Sequence, residues 1–262
     1  MVATPRDTTV SPKTAHTDGY PYGWRYVESV LPNGNVLFDQ IPLTLEDVLH
    51  PQEGDQVTHS DVHQRMCIYL FNVFRGLLAS MPAAVVLHDV RVAWDTPEVK
   101  PHGPDLAVIQ GVREHKNWST FDVAEEGVRP VLLVEVTSPE TRHIDLTTKL
   151  EEYDLAGVPF YVIVDIVQRR GQSVPRLLGY HQTPSVYAVL APDERGWLWL
   201  EPLNIWLGVQ DQDVVCYDET GAPIGDYTDL KTALVAETAA RVTAETRLQE
   251  LEAEMRRLRG EG

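Results

Sequence analysis

Cysteine is nearly absent from this chain: Cys67 and Cys216 are the only two among 262 residues. Both sit inside apolar segments, without a CxxC pair or a Cys/His spacing of the zinc type. The sequence therefore reads them as reduced, buried side chains and sets disulfides and zinc aside. Basic residues are also scarce. Against 39 acidic side chains stand 22 basic ones, a formal charge of −17 at pH 7, which repels a phosphate backbone at long range and leaves no general electrostatic footprint for nucleic acid. A nucleic-acid partner needs a local basic patch, a metal ion or a further protein. Long hydrophobic runs are missing too. Nothing approaches the roughly 18 apolar residues of a membrane span, and residues 1–20 lack the apolar centre of a signal peptide. The expectation is a cytoplasmic chain with no membrane partner. There is no glycine-rich phosphate loop, no Ser/His/Asp elbow and no metal-binding His pair.

What is present suits a globular α/β protein. With 43% hydrophobic residues, the chain can bury a core of ordinary size, one domain with appendages. Residues 1–20, rich in Thr, Pro and Asp without periodicity, read as a disordered tail. Asn33-Gly34 between WRYVESV and NVLFDQI signals a hairpin. Thr44 is placed to cap a short helix, LEDVLH. From Asp61 to about Met81, the spacing of Met66, Leu70, Val73, Phe74, Leu77 and Leu78 predicts an amphipathic helix capped by Ser60 or Asp61. Four runs rich in Val and Ile follow as strands: AVVLHDVRVAW, DLAVIQ, VLLVEV and FYVIVDIV. TRHIDLTTKLEEYDLAGV, between the third and fourth, predicts a crossover helix ended by Gly157, hence a parallel strand pair. Further short strands are read in RLLGYH, SVYAVLAP, WLWLEP, IWLGVQ and VVCYD. The fold class is α/β, a central mixed sheet flanked by helices. Over 229–259 the chain has no Pro or Gly, and Ala244, Leu248, Leu251, Met255 and Leu258 step by four and three. That pattern predicts a C-terminal coiled-coil helix and a homodimer formed through it.

Two acids interrupt the apolar runs. Glu135 lies inside VLLVEV and Asp105 opens DLAVIQ, and an ionised carboxylate in a core needs a partner or a cation. The plain alternative is a sheet with one wet face, on which Leu133, Glu135 and Thr137 point to water. Against it, Asp105 begins a strand and Glu135 lies near the end of another, so adjacent strands bring both acids to one sheet end. Lys149 on the following helix can project over the same edge. Two carboxylates and an ammonium around one point suit magnesium or manganese and an attacking water.

The order Pro104-Asp105, Glu135-Val136-Thr137-Ser138-Pro139-Glu140-Thr141, Arg142, Asp145, Lys149, Tyr153, Gly157-Val158-Pro159 and Val164-Asp165 resembles the Uma-two endonuclease family. That family is a branch of the PD-(D/E)XK superfamily of restriction-endonuclease-like proteins. The similarity is strongest over residues 100–165 and extends from about residue 41 to about 205. It implies a restriction-endonuclease-like domain, drawn here over 21–225, and metal-dependent hydrolysis of DNA phosphodiesters with Mg or Mn. It further implies Asp105 and Glu135 as metal ligands, with the carbonyl of Val136 as a third oxygen. The chain departs from the superfamily pattern at Thr137, where a Lys is usual, and Lys149 is the displaced replacement. It departs again on the first helix, where His63 stands at a position often held by Glu and becomes a catalytic candidate beside its plainer reading as a packing residue. Asp145 is explained by the helix macrodipole and Tyr153 by core packing. Ser138 and Thr141 are read as helix caps, and Asp165 as the close of a strand. A second reading of function stays open: a catalytically inactive nuclease-fold scaffold, favoured by the net charge of −17.

Overall fold

The computed structural model describes residues 19–259 apart from 21, 34, 50, 51, 59, 139–141, 170 and 171. The chain divides into two compact units, residues 1–61 and 62–262, and the division falls inside the 21–225 range that the sequence reading drew as one domain. The 1–18 tail, Gly34 and Thr141 lie outside the described residues. In the first unit, β1 (Gly23–Val30) and β2 (Val36–Pro42) form the expected antiparallel hairpin. Helix α1 (Leu45–Leu49) follows, and Thr44 caps it: its hydroxyl accepts from the Asp47 N–H at 3.2 Å while Asp47 accepts from the Thr44 N–H at 2.8 Å. A two-residue strand, β3 (Gln56–Val57), completes the sheet beside β1.

The second unit is built on α2 (Asp61–Leu78), β4 (Ala84–His88), β5 (Arg91–Ala93), β6 (Leu106–Gln110), β7 (Thr120–Asp122), α3 (Val123–Glu126) and β8 (Pro130–Val136). Then come α4 (Arg142–Leu146), α5 (Thr148–Leu155), β9 (Phe160–Arg169), β10 (Gln172–His181), β11 (Ala188–Val189), β12 (Leu198–Leu200), β13 (Ile205–Gln210), β14 (Asp213–Tyr217) and α6 (Tyr227–Arg259). The central six-stranded sheet runs β11-β10-β9-β8-β6-β4. Only β8 and β9 are parallel; every other neighbouring pair is antiparallel. The run AVVLHDVRVAW splits in two because Asp89 takes a left-handed backbone, φ 52°, which turns β5 out of the central sheet to pair with β7. Residues 111–129, too short and aperiodic to assign from sequence, hold β7 and α3.

Both faces of the sheet are covered. On one, Met66, Leu70, Phe74 and Leu78 of α2 and the β12-β13-β14 sheet pack against Leu132, Val134 and Val136. On the other, Phe121, Val123, Tyr153, Ala156 and Val158 pack against Leu133, Tyr161 and Ile163. Burying each such side chain contributes about 2 kcal/mol. Two covered faces explain strands that read as continuous apolar runs, and they overturn the wet-face alternative: Glu135 is 3% exposed. The predicted crossover helix is two helices, broken at Thr147, whose hydroxyl turns back to the His143 carbonyl at 2.7 Å. Gly157 ends the second of them with φ 70°.

Candidate active site

The two interrupting acids meet because β6 and β8 run in opposite directions. Leu106 registers opposite Val134, so the residue before β6 and the penultimate residue of β8 reach the same end of the sheet. The Asp105 N–H points at Glu135 Oε2 at 3.4 Å, and the Val136 N–H donates to Asp105 Oδ2 at 2.7 Å. Lys149 enters from α5: its Nζ lies 3.0 Å from Glu135 Oε1 and 2.8 Å from Asp145 Oδ1. From α2, His63 Nε2 lies 3.3 Å from Asp105 Oδ2. Asp105, Glu135, Lys149 and His63 thus stand around one point, and Val136 joins them through its backbone.

Other residues there were read more plainly from the sequence. Asp145 is not a solvated first-turn acid but is 3% exposed and paired to Lys149, four residues on and across the break at Thr147; that i,i+4 acid-base spacing was the available signal. The Tyr153 ring packs in the core as expected, while its hydroxyl donates to Glu135 Oε1 at 2.8 Å. The Tyr161 hydroxyl donates to the Asp145 carbonyl at 3.0 Å and so fixes α4 over the sheet. Cys67, expected to be a buried side chain away from any Cys/His spacing of the zinc type, sits one turn after His63, its Sγ 3.8 Å from His63 Nδ1. Thr137, at the usual lysine position, is fully buried, and its hydroxyl accepts from the Ile166 N–H at 2.9 Å and donates to Asp165 Oδ1 at 3.3 Å. Asp165 does more than close a strand. Its buried carboxylate takes Arg142 Nε at 2.5 Å and Arg176 Nε at 2.5 Å, and both guanidiniums reach solvent. The Arg142 N–H donates to the Ser138 carbonyl at 3.0 Å.

Electrostatics follow from burial. Desolvation pushes the Glu135 carboxyl up to about 8, against the pull of Lys149 and with the push of Asp105 and Asp145. Burial likewise raises Asp145. For Asp105 burial acts upward, but the His63 hydrogen bond and charge and the Val136 N–H hold it below the ordinary value. His63 is raised: its burial is outweighed by Asp105 and the other acids. Lys149 is held above its usual range by Glu135 and Asp145, which prevail over its burial. Lys149 is the cation shared by Glu135 and Asp145, while His63 faces Asp105. Such a set of hard oxygen donors around one point fits a divalent cation.

The family model described as "Uma2: Putative restriction endonuclease" matches residues 52–210. No curated protein matches the chain. Among solved structures, the "crystal structure of a putative nuclease belonging to DUF820" from Anabaena variabilis is similar, with 15% identity and a TM-score of 0.39, over 59% of this chain and 86% of that one. Among the described residues, no helix is long and apolar enough to cross a membrane.

Proposed function

This chain belongs to the Uma2 family, and we propose from that premise that it is a metal-dependent endonuclease hydrolysing DNA phosphodiesters. The convergence of Asp105, Glu135 and Lys149 at one sheet end carries the reading, with Lys149 Nζ 3.0 Å from Glu135. Asp105 and Glu135 hold magnesium or manganese. The Val136 carbonyl adds a third oxygen; a strand residue sends its N–H and C=O to the same side, and the Val136 N–H faces Asp105. The bound ion supplies Lewis acidity to the scissile phosphate and acidifies water. Tyr153 and Lys149 orient Glu135, and Lys149 positions water and offsets charge developing on the phosphate. His63 fixes the rotamer of Asp105.

The local basic patch that a −17 chain needs is offered by Arg142 and Arg176. Two guanidiniums share the single carboxylate of Asp165, leaving one net positive charge about 7 Å along the strand from Ile163, the register partner of Glu135. That charge faces the substrate backbone. In the same reading α6 pairs two copies: it spans 33 residues with none buried, and Leu248, Leu251 and Met255 repeat on one exposed stripe.

The test is cleavage of plasmid and single-stranded DNA with magnesium or manganese. Wild type cuts; Asp105→Ala and Lys149→Ala do not, and cleavage surviving both substitutions discards the assignment. The inactive scaffold is the second reading, favoured by the net charge and by Lys149 being already engaged by two acids. Calorimetry that detects no magnesium or manganese binding selects it.

A further inference from the structure

Beside the oxygen donors lies a softer set. His63 and Cys67 are four residues apart on α2 and so share one face of it. Cys67 Sγ is 3.9 Å from His63 Nε2, and His63 Nε2 is 3.3 Å from Asp105 Oδ2. The three ligand atoms lie within 4.8 Å of one another, and both α2 residues are buried. A tetrahedral ion bound at ordinary zinc distances sets nitrogen and oxygen ligands about 3.3 Å apart and sulfur and nitrogen about 3.5 Å apart. The first separation is already met, the second needs a shift of about 0.4 Å, and sulfur to oxygen, within 4.8 Å here, closes by at most about 1.2 Å toward about 3.6 Å as the Cys67 and Asp105 side chains adjust. A buried cysteine ordinarily packs as a small hydrophobe, and Cys67 does touch the α2 core cluster. Cys216 is that ordinary case: it is buried under the Tyr69 hydroxyl, which its N–H donates to at 2.9 Å. Only Cys67 faces an imidazole and a carboxylate together.

We propose that His63, Cys67 and Asp105 form a site for a thiophilic divalent ion of the zinc, cadmium or cobalt class. As the sulfur–metal bond forms, the thiol proton passes to solvent. The site shares Asp105 with the hydrolytic pair, so an ion seated there withdraws Asp105 from magnesium and stops cleavage. This inhibitory consequence rests on the proposed function; binding itself does not.

Cobalt(II) is titrated into the purified full chain and followed by absorption. One equivalent is expected to produce a thiolate-to-cobalt charge-transfer band in the near ultraviolet, retained in Cys216→Ala and lost in Cys67→Ala. The Cys216→Ala variant leaves Cys67 as the sole thiol, so the assignment holds even if Cys67→Ala does not fold. No band in wild type, or an equal band in folded Cys67→Ala, overturns the site. With wild type cutting DNA in magnesium, zinc is expected to inhibit, and at least tenfold more zinc is needed in Cys67→Ala. A cobalt band in a chain that cuts nothing keeps the site and removes the nuclease reading. Cleavage without a band does the reverse.

Discussion

Single side chains at the sheet end bear on folding and on the proposed chemistry at once, and substitutions separate the two. Lys149→Ala leaves Glu135 and Asp145 buried without their shared cation, a loss of about 3 kcal/mol measurable by urea unfolding. Its cleavage defect, expected at a hundredfold or more, persists well below the melting temperature, which distinguishes lost chemistry from lost fold. Asp165 gives a different pH signature. Burial acts to raise its carboxyl, but hydrogen bonds from Arg142 and Arg176 prevail and hold it below the ordinary 3.8. A depressed folded value means the stabilisation is complete above about pH 4 and is lost as pH falls through that lower value. Asp165→Asn is therefore less stable than wild type at pH 7, by about 2 kcal/mol because both guanidiniums reach solvent. The gap narrows in acid, as paired thermal melts at pH 7 and pH 3 will show. Asp105 and Glu135 were legible in the sequence because acids inside apolar runs are costly. Asp145 was not, since an acid in a first helical turn has a cheaper explanation until the sheet above it is known. The His63-Cys67 spacing stood in the sequence unread, because a histidine and cysteine one turn apart acquire meaning only when Asp105 arrives from a strand.

Among the elements, continuous Val and Ile runs foretold β4, β6, β8 and β9, and the helical spacing foretold α2 within three residues of its end. The crossover was legible in kind but not in its break, for the Thr147-Thr148 pair has no distinctive period. Its terminus has a clear requirement. Gly157 holds φ 70°, and a Cβ there would stand 2.8 Å from Arg129 Nη1. Gly157→Ala should cost roughly 1 to 2 kcal/mol in denaturant midpoint, with the loss read as a loosened α5 and so weaker positioning of Lys149. Helix α6 makes the opposite kind of statement: with no residue buried, it contributes little to its own chain. Removing residues 227–259 should leave the melting temperature within a few degrees while shifting the chain from dimer to monomer in light scattering. A monomeric full-length chain would remove the pairing.

For the whole molecule, 39 acids against 22 bases make charge the dominant long-range term. On the proposed reading, binding to DNA weakens with salt, and Arg176→Ala should lower the slope of log affinity against log salt by about 0.9 for each phosphate contact removed. Filter binding in calcium reads this without cleavage; an unchanged slope would take Arg176 off the substrate path. The opposed directions of β6 and β8, with Leu106 across from Val134, carry a last consequence. Adding one residue between Leu132 and Glu135 would swing the acid through the plane of the sheet into the aliphatic layer under α2, and bring Val134 to the place beside Lys149. Lengthening the exposed stretch 113–117 by one would move neither. A length change that the exposed stretch absorbs silently would, a few positions later, disrupt the core and the proposed site together.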